Sequence, residues 1–253
     1  DGVAAAVTLF ISPRTMRSWP RGERSIRFLE TLRKSSLAVT GSTPRMVSKL
    51  IARDATAVER TPLTVDGLLR AGDAALALDP LSGQGLQHAL VSAAQVAIVL
   101  HTMMARKESS VLAQEFYRAR HAEAAHVHAL ACREFYRRQD RFDGGFWRER
   151  MSENSLPLAA EVLSETLSAP IDAWIHERLI LSHEARWKDA PVIVGEFIES
   201  EHALCHPSLT RPIAYLEGRL VRAMLADLSG EVTGFTLLHR WAARAGLPVE
   251  SGL

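Results

Sequence analysis

One short stretch of the chain, LLRAGDAALALDPLSGQGLQHALVSAA, carries residues whose types and spacing suit a ligand rich in hydroxyl groups. Asp73 follows a glycine, Asp79 precedes a proline, and Gly83 and Gly85 are separated by one residue. An ionised aspartate only accepts hydrogen bonds, so it matches a row of hydroxyls on a sugar or sugar alcohol. Glycines lack a Cβ and let the backbone approach a flat ligand closely. The stretch therefore predicts a site where a carboxylate holds hydroxyls and a backbone loop faces a ring.

Two predicted elements position these residues. A short apolar strand over residues 68–71 ends at Gly72, which places Asp73 at the carboxyl end of a strand, where ligands bind in α/β sheets. A helix over 84–106 follows the glycines, and its small and apolar residues predict that it is mostly buried and begins close to Gln84. The free N–H groups and the positive dipole end of that helix would stabilise negative charge on the ligand.

The sequence GDAALALDPLSGQGLQHALVSA resembles the C-terminal flavin-binding motif of FAD-dependent monooxygenases of the para-hydroxybenzoate hydroxylase superfamily. Together with REFYRRQDRFDGGFWRER at residues 133–150, it resembles one subgroup of that superfamily. The subgroup contains flavin-dependent halogenases and flavoproteins that hydroxylate residues of a partner protein to build tryptophan- or cysteine-derived quinone cofactors. The resemblance is strong over residues 68–105, moderate over 1–66 and 133–150, and thin beyond these ranges.

The resemblance implies an α/β fold: the C-terminal part of a FAD/NAD(P)-binding flavoprotein monooxygenase, followed by a mainly helical C-terminal region. Residues 1–66 would be a remnant of the substrate-domain sheet and helices, residues 67–106 the C-terminal part of the FAD-binding domain, and residues 107–253 the helical region. Residues 218–247 read as helix, turn and helix. This end is compatible with a winged-helix-like module that recognises a peptide, or with a helical hairpin packed on the flavin domain.

The resemblance also implies roles for individual residues. Asp73 would hydrogen-bond the ribityl chain of FAD, Asp79 and Pro80 would shape the loop beside the isoalloxazine, and the backbone of residues 83–85 would face the N1/C2=O edge of the ring. The implied cofactor-binding residues are Gly72, Asp73, Ala74, Asp79, Pro80, Gly83, Gln84 and Gly85. The reductant would be NAD(P)H or a separate flavin reductase. Reduced flavin would react with O₂ and pass an oxygen atom to an aromatic small molecule or to a residue of a peptide or protein.

The sequence departs from the superfamily in one respect that affects the cofactor. The strand, Gly-x-Gly-x-x-Gly turn and helix that hold the pyrophosphate are not present, and the most similar string, GQGLQH, ends in His88 inside the second motif. The chain also opens at Asp-Gly without a methionine, and Asp-Gly is a favoured hairpin pair. We therefore expect a C-terminal fragment or truncated product that needs the N-terminal half of a flavoprotein, and that binds FAD very weakly alone.

Composition narrows the class of protein. With 47% hydrophobic and 23% charged residues, the chain has the composition of a globular protein with a sizeable core. Lys and Arg number 30 against 29 for Asp and Glu, which gives no basis for a nucleic-acid partner. The two cysteines fit a reducing, cytoplasmic compartment. The longest apolar stretch, 89–104, contains Gln95 and His101 and is short for a membrane span, so we expect no membrane partner.

Sequence patterns predict the remaining elements. A strand is expected over residues 3–12, and residues 190–198 fit either a strand or the start of a helix. A loop is expected around Gly144 and Gly145 and the following FWRER. Helices are expected over residues 25–33, 44–52, 110–139, 158–167, 171–182, 219–228 and 233–244.

Three further features have an ordinary and a functional interpretation. His202 and His206, with Cys205 between them, have the spacing of metal ligands on a helix, but Pro207 makes a helix there doubtful. The basic and aromatic run over 135–150 is either a surface for a substrate or partner, or a solvated helix. Cys132 is most simply a small buried residue.

Three functions are consistent with the sequence. The first is a part of a flavin-dependent monooxygenase that acts on an aromatic substrate, and the second is a halogenase or reductase of the same superfamily. The third is a non-catalytic remnant that acts as a binding module. The sequence identifies no catalytic residue.

Overall fold

The computed structural model describes residues 5–35, 45–65, 67–141, 144–153, 175–226, 228 and 232–245. Over these ranges the chain is mixed helix and strand. The helices are α1 (Pro13–Ser18), α2 (Arg24–Lys34), α3 (Gly85–Ala105), α4 (Ser110–Arg137), α5 (Gly145–Glu153), α6 (Val221–Leu225) and α7 (Gly234–Ala245). The strands are β1 (Val58–Glu59), β2 (Thr64–Val65), β3 (Leu68–Leu69), β4 (Leu76–Ala77), β5 (Arg186–Val194), β6 (Phe197–Cys205), β7 (Tyr215–Leu216) and β8 (Arg219–Leu220).

The described strands form four antiparallel pairs, β1–β4, β2–β3, β5–β6 and β7–β8. The pairs β1–β4 and β2–β3 are each two residues long and lead directly into the predicted site. Val58 pairs with Ala77, and Thr64 pairs with Leu69. The pairing of β4 with β1 fixes the position at which the loop over residues 78–84 begins.

Helices α3 and α4 form the centre of the described structure. The hydroxyl of Tyr117 in α4 donates a hydrogen bond to the carbonyl of Arg70 at 2.7 Å, which ties α4 to the strand that precedes the site. One buried apolar cluster joins the two helices to the short strands and to β6. Its members are Leu63, Ala75, Val96, Val99, Ala113, Phe116, Tyr117 and Ile198.

Helix α3 confirms the predicted helix over 84–106, but the prediction that it is mostly buried is wrong. Its buried residues, Ser92, Val96, Val99 and Thr102, form one face only, because α4 and β6 cover only that side. The opposite face is exposed and apolar, with residues spaced alternately by four and three positions. We call this face the α3 seam. It consists of Leu86, Leu90, Ala93, Ala97, Leu100 and Met104.

Among the described residues, α3 is also the one helix long and apolar enough to cross a membrane, with 21 residues and a mean hydropathy of 1.5 over an 18-residue stretch. Length and composition are the whole of this evidence, and the core helices of soluble proteins satisfy the same criteria. The buried face of α3 packs on α4 and β6, so in this structure the helix is one wall of a folded core.

Residues 190–198 are not the start of a helix, because they contain the end of β5, a turn at Gly195 and the start of β6. Strands β5 and β6 form a hairpin, paired from Arg186 and Cys205 to the turn at Gly195, where φ is +59°. The N–H of Ile198 donates to the Thr102 hydroxyl of α3 at 2.9 Å and so fastens the hairpin to the central helix. The expectation that residues 107–253 are mainly helical is therefore wrong for residues 186–205.

Several other predicted elements can be compared with the structure. The helices over 25–33, 110–139 and 233–244 are confirmed as α2, α4 and α7. Residues 5–12 form no strand, because no described strand lies alongside to pair with them, and residues 45–52 form no helix. Residues 145–153 form α5 instead of the expected loop.

The remaining predictions concern the C-terminal third of the chain. Residues 158–167 lie outside the described residues, and residues 175–182 of the helix expected over 171–182 are not helical. Of the described residues in the range 219–228, only those of α6 are helical, and β8 pairs with β7 at the start of the range. Hairpin β7–β8, α6 and α7 therefore replace the simple helix, turn and helix expected near this end.

Candidate functional site

A cavity of about 520 Å³ opens beside the loop that carries Asp79 and Pro80. Its walls come from the range 7–28, from residues 50–56, from the loop over 79–81, and from α4 and α5. Five aromatic side chains line it: Phe10, Trp19, Phe28, Tyr136 and Phe146. A concave, largely apolar chamber with a few polar groups is the usual form of a small-molecule site.

Helix α1 forms one wall of the cavity because the sequence starts a helix there. Pro13 occupies the first turn, where its missing N–H costs nothing, and the Ser12 hydroxyl accepts a hydrogen bond from the Thr15 N–H at 3.1 Å. Ser12 is buried, so this cap is shielded from water. The cap therefore holds the chain that carries Met16 and Arg17 against the cavity.

Asp79 is the polar centre of the cavity wall. It is only 6% exposed, and its Oδ2 accepts a hydrogen bond from the Tyr136 hydroxyl at 2.7 Å. Its Oδ1 accepts the Leu81 N–H at 3.0 Å, which starts a single 3₁₀ turn at Pro80. Its own N–H donates to Nε2 of His128 at 2.9 Å. Two of these hydrogen bonds fix the Asp79 loop against α4, and the third shapes the loop itself.

The side chains behind Asp79 are neutral. Burial lowers the pKa of His128, with the charge of Asp79 opposing the shift and His88 adding to it. Burial, together with the Asp79 carboxylate, raises the pKa of the Cys132 thiol to about 11 and also raises the pKa of Tyr136. A thiol with a raised pKa is a weak nucleophile. Cys132 is therefore a buried structural residue, in agreement with the prediction from the sequence.

Acid should destabilise the protein through His128. The neutral imidazole accepts the Asp79 N–H, and the folded pKa lies below the ordinary value of 6.5. A histidine with a lowered folded pKa contributes its full stabilisation above the unfolded pKa. That contribution is lost as the pH falls from the pKa of His128 in the unfolded state through its lowered pKa in the folded state. We expect the free energy of unfolding, measured by denaturant titration, to decrease over this window.

The matched variant for this pH effect is His128→Gln. A glutamine oxygen can still accept the Asp79 N–H but carries no titratable proton. The variant should therefore show a shallower loss of stability with acid than the wild-type chain, with the remaining slope coming partly from His88, whose pKa is also lowered by burial. Equal slopes in the two proteins would assign the acid sensitivity to other groups.

The glycine loop enters α3 as expected. Gly83 adopts φ +66°, a conformation that favours glycine, and α3 starts at Gly85, one residue after Gln84. Within the described ranges, no side chain caps the first turn of α3. A Cβ at Gly83 or Gly85 would meet no atom of the described residues within 4 Å, so this part of the structure leaves space beside both glycines. The loop thus leaves room for a ligand directly at the helix N-terminus.

Gly72, Asp73 and Ala74 form a 3₁₀ turn after β3. Gly72 has φ +54°, and its N–H donates to the Ser92 hydroxyl of α3 at 2.9 Å. Asp73 is exposed, and its charge opposes the lowering of the His88 pKa that burial and His121 cause. The Asp73 carboxylate therefore lies on the surface beside the first turns of α3.

The structure brings only some of the predicted residues into the cavity. Asp79 and Pro80 line it, whereas the other predicted residues lie outside the lining, along the 3₁₀ turn and the N-terminus of α3. Sequence patterns did not predict a role for Tyr136, for His128 or for the cavity arginines Arg17, Arg24 and Arg53. Tyr136 stands inside the aromatic and basic run over 135–150, which was the available signal for it.

The two histidines with metal-like spacing do not face each other. His202 lies on strand β6, where it contacts Asp189 at 3.0 Å, and His206 contacts the hydroxyls of Ser182 and Ser208. A strand places positions i and i+4 about 13 Å apart, far from a shared metal. Among the described residues no group of three or more His, Cys, Asp or Glu side chains could hold a metal ion.

No protein-family model matches the chain, and no curated protein matches it. Two solved structures do. One is the peptidyl tryptophan dihydroxylase QhpG, essential for tryptophylquinone cofactor biogenesis, with a TM-score of 0.62, 23% identity, and coverage of 91% of this chain and 53% of the other. The second is CmlS, a flavin-dependent halogenase, with a TM-score of 0.59, 18% identity, and coverage of 88% and 48%.

These likenesses establish the fold. The chain spans about half the length of each solved structure that it matches. A halogenase and a residue-modifying hydroxylase are the two kinds of protein that the motifs at 68–105 and 133–150 resemble. Most of this chain thus has the fold of about half of each matched structure.

Proposed function

We propose that the chain forms the ring-edge loop and the substrate cavity of a FAD-dependent oxidoreductase of the monooxygenase type. Its substrate would be an aromatic small molecule, or an aromatic residue of a peptide or protein. The observation that carries this proposal is the loop over 79–81. One side of the loop lines an aromatic cavity, and its end leads through Gly83 into the uncapped N-terminus of α3. A flavin ring at that N-terminus would border the cavity.

The residues present fit the ribityl and ring portions of FAD. Asp73 offers an exposed acceptor-only carboxylate for ribityl hydroxyls, and Gly83 and Gly85 leave open space for a flat ring. The N–H groups at the start of α3 suit a ring edge that bears negative charge. When bound, FAD would supply the redox chemistry with O₂, using electrons from NAD(P)H or from a flavin reductase.

The chain's own residues would place the substrate and keep it dry. The aromatic walls offer flat apolar surface, which excludes water from the reacting groups. The hydrogen bonds of Asp79 to Tyr136 and Leu81 hold one wall of the cavity rigid. A rigid wall beside the ring fixes the distance between substrate and cofactor, which is the usual contribution of a protein to cofactor chemistry.

We further propose that the N-terminal half of a flavoprotein covers the α3 seam. Leu86 is 75% exposed and Leu90 is 65% exposed, although both are leucines on a regular seam. Contiguous exposed apolar surface of this kind marks an interaction site. This chain covers only about half of each matched structure, and its sequence has no Gly-x-Gly-x-x-Gly turn for a pyrophosphate. The covering element would supply that turn.

Asp73→Ala should weaken FAD binding by about 1–3 kcal/mol, the usual worth of a hydrogen bond to a charged group. The measurement is flavin retention on gel filtration, made on the longest polypeptide that the reading frame encodes. Asp73→Glu should also reduce retention, because the longer side chain would crowd the ribityl chain. Asp189→Ala removes an exposed carboxylate from β5 and is the control. If Asp73→Ala and the control retain flavin equally, Asp73 is only a turn residue.

The likeness to CmlS supports a halogenase as the second candidate. Product analysis with O₂ and chloride separates the two reactions, since a hydroxylase adds oxygen and a halogenase adds chlorine to the substrate. A reductase would add neither oxygen nor chlorine to its substrate. A non-catalytic binding module would bind an aromatic ligand in the cavity without acquiring flavin.

A further inference from the structure

Basic side chains are concentrated in the part of the chain that supplies much of the cavity wall. Residues 14–53 contain ten lysines and arginines against two acidic residues, Glu23 and Glu30, whereas the whole chain has 30 basic and 29 acidic residues. Six of the ten basic residues lie outside α2, and all six are exposed. We call these six the basic rim: Arg14, Arg17, Arg21, Arg45, Lys49 and Arg53.

The basic rim and the cavity are built from the same segments of the chain. Arg17 and Arg53 are exposed and also line the cavity. Arg14 and Lys49 are each the immediate neighbour of a lining residue. A partner that sends one side chain into the cavity would therefore lay its flanking residues against the rim.

Carboxylates of the described residues do not neutralise the basic rim. Glu23 and Glu30 both contact Arg27 of α2, at 3.3 Å each, and Arg27 is not part of the rim. Asp54 accepts the Thr56 N–H at 3.0 Å. Within the described ranges, no rim side chain forms an ion pair. The rim therefore presents positive charge that the described part of the chain leaves unpaired.

Unpaired charges of one sign favour an anionic partner. Arg14 and Arg17 stand three positions apart on α1, a spacing that brings two side chains together on one helix face, where like charges repel. An anionic partner would replace this repulsion by attraction. Exposed cations of one face also raise the local concentration of an anionic partner and the rate at which it associates.

The charges around the rim favour a polypeptide over a nucleic acid. A nucleic-acid strand carries a phosphate at every nucleotide, so it would place negative charge against Glu23 and Glu30, whose side chains are 50% and 43% exposed. An acidic polypeptide can place its carboxylates opposite the arginines alone. The cavity beside the rim, of about 520 Å³ and lined by aromatic rings, has room for one of its side chains.

We propose that the basic rim docks an acidic segment of a partner polypeptide, next to the residue of that polypeptide that enters the cavity. This rests on the proposed function, because the cavity is taken as the substrate site, and it names the kind of partner that presents the substrate. The guanidinium fork of an arginine binds a carboxylate through two parallel hydrogen bonds. The rim would thus orient the acidic segment and speed its association.

Fluorescence anisotropy with dye-labelled peptides tests this proposal on the full 253-residue chain. The acidic probe is Glu-Ser-Glu-Glu-Trp-Glu-Glu-Ser-Glu-amide, and the neutral probe has glutamine in place of each glutamate. At low ionic strength the wild-type chain should bind the acidic probe about tenfold or more tighter than the neutral one. Added salt should remove most of this preference, because it screens exposed charges.

Paired substitutions locate the preference on the chain. Arg14→Gln with Arg21→Gln should remove most of it, and both residues are exposed and lie outside the cavity lining, so the circular dichroism spectrum should not change. Arg14→Lys with Arg21→Lys keeps the charges and should keep most of the preference. Arg222→Gln with Arg240→Gln removes two exposed arginines from α6 and α7 and is the matched control. The control should bind both probes as the wild-type chain does.

Several results would overturn the proposal. Equal binding of the two probes by the wild-type chain, or no binding of either, is the first, and a preference that salt leaves unchanged is the second. A preference that survives the glutamine pair at Arg14 and Arg21, or that the control pair loses to the same extent, is the third.

Two further measurements exclude other occupants of the rim. A deoxythymidine oligonucleotide of the same charge should bind more weakly than the acidic probe, and tighter binding would assign the rim to nucleic acid. The longest polypeptide of the reading frame should keep the preference for the acidic probe, and its loss there would assign the rim to the N-terminal half of that protein. Flavin retention in the Asp73 experiment does not depend on peptide binding, so the two proposals fail separately.

Discussion

Asp79→Ala should lower the free energy of unfolding by about 2–4 kcal/mol, the largest stability loss among substitutions in the loop over 79–84. The substitution leaves the buried Tyr136 hydroxyl and the Leu81 N–H without acceptors. It also removes the start of the 3₁₀ turn at Pro80. Because this loop forms one wall of the cavity, the variant should lose ligand binding together with stability.

Denaturant unfolding of the 253-residue chain measures this effect, with two variants as comparisons. Tyr136→Phe removes one of the three hydrogen bonds and should cost less than Asp79→Ala. The double variant should cost less than the sum of the single changes, because the two residues share one bond. A loss below about 0.5 kcal/mol for Asp79→Ala, typical of a surface substitution, would contradict the role of Asp79 as the centre of the wall.

The double substitution Leu86→Glu, Leu90→Glu should have little effect where the α3 seam is exposed and a large effect where another segment covers it. In the isolated chain both positions are exposed, so the folding free energy should change by less than about 1 kcal/mol. In the longest polypeptide of the reading frame, each leucine would be buried, at about 1.5–3 kcal/mol per side chain. There the double variant should lose its flavin and melt at a lower temperature.

Ile180→Glu is the matched control for the seam, because Ile180 is 75% exposed like Leu86 but lies before β5. It should leave flavin retention unchanged. The proposal that an N-terminal half covers the seam fails if the double variant retains flavin as well as the control does. The proposal also fails if the double variant Leu86→Glu, Leu90→Glu unfolds the isolated chain, because the α3 seam would then belong to the core of that chain.

Local patterns in the sequence were enough to predict α3, α4 and the turn at Gly83. Small and apolar residues without internal proline favour long helices, and a Gly-x-Gly step before such a helix favours a left-handed residue at its start. The burial of α3 could not be predicted in the same way. Its composition is apolar on every face, so only its packing on α4 and β6 reveals which face is exposed.

Elements that depend on distant partners were predicted less well. The apolar residues 5–12 have the composition of a strand, but a strand forms only where a neighbour completes its ladder. The candidate site shows the same limit. Asp79 and Tyr136 are 57 residues apart, and Asp79 and His128 are 49 apart, so spacing alone does not reveal their hydrogen bonds. The predicted roles of Asp73 and Gly83 toward a flavin stay predictions.

The most direct test of the central claim is the titration of FAD into two apoproteins by calorimetry. One is the 253-residue chain, and the other is the longest polypeptide that its reading frame encodes. The longer protein should bind one FAD with a dissociation constant of about a micromolar or tighter. The shorter chain should bind it very weakly, because no Gly-x-Gly-x-x-Gly turn stands among its residues to hold the pyrophosphate. No FAD binding by the longer protein would contradict the assignment of a flavin site to the loop over 79–85. Micromolar binding by the 253-residue chain alone would contradict the need for a second half.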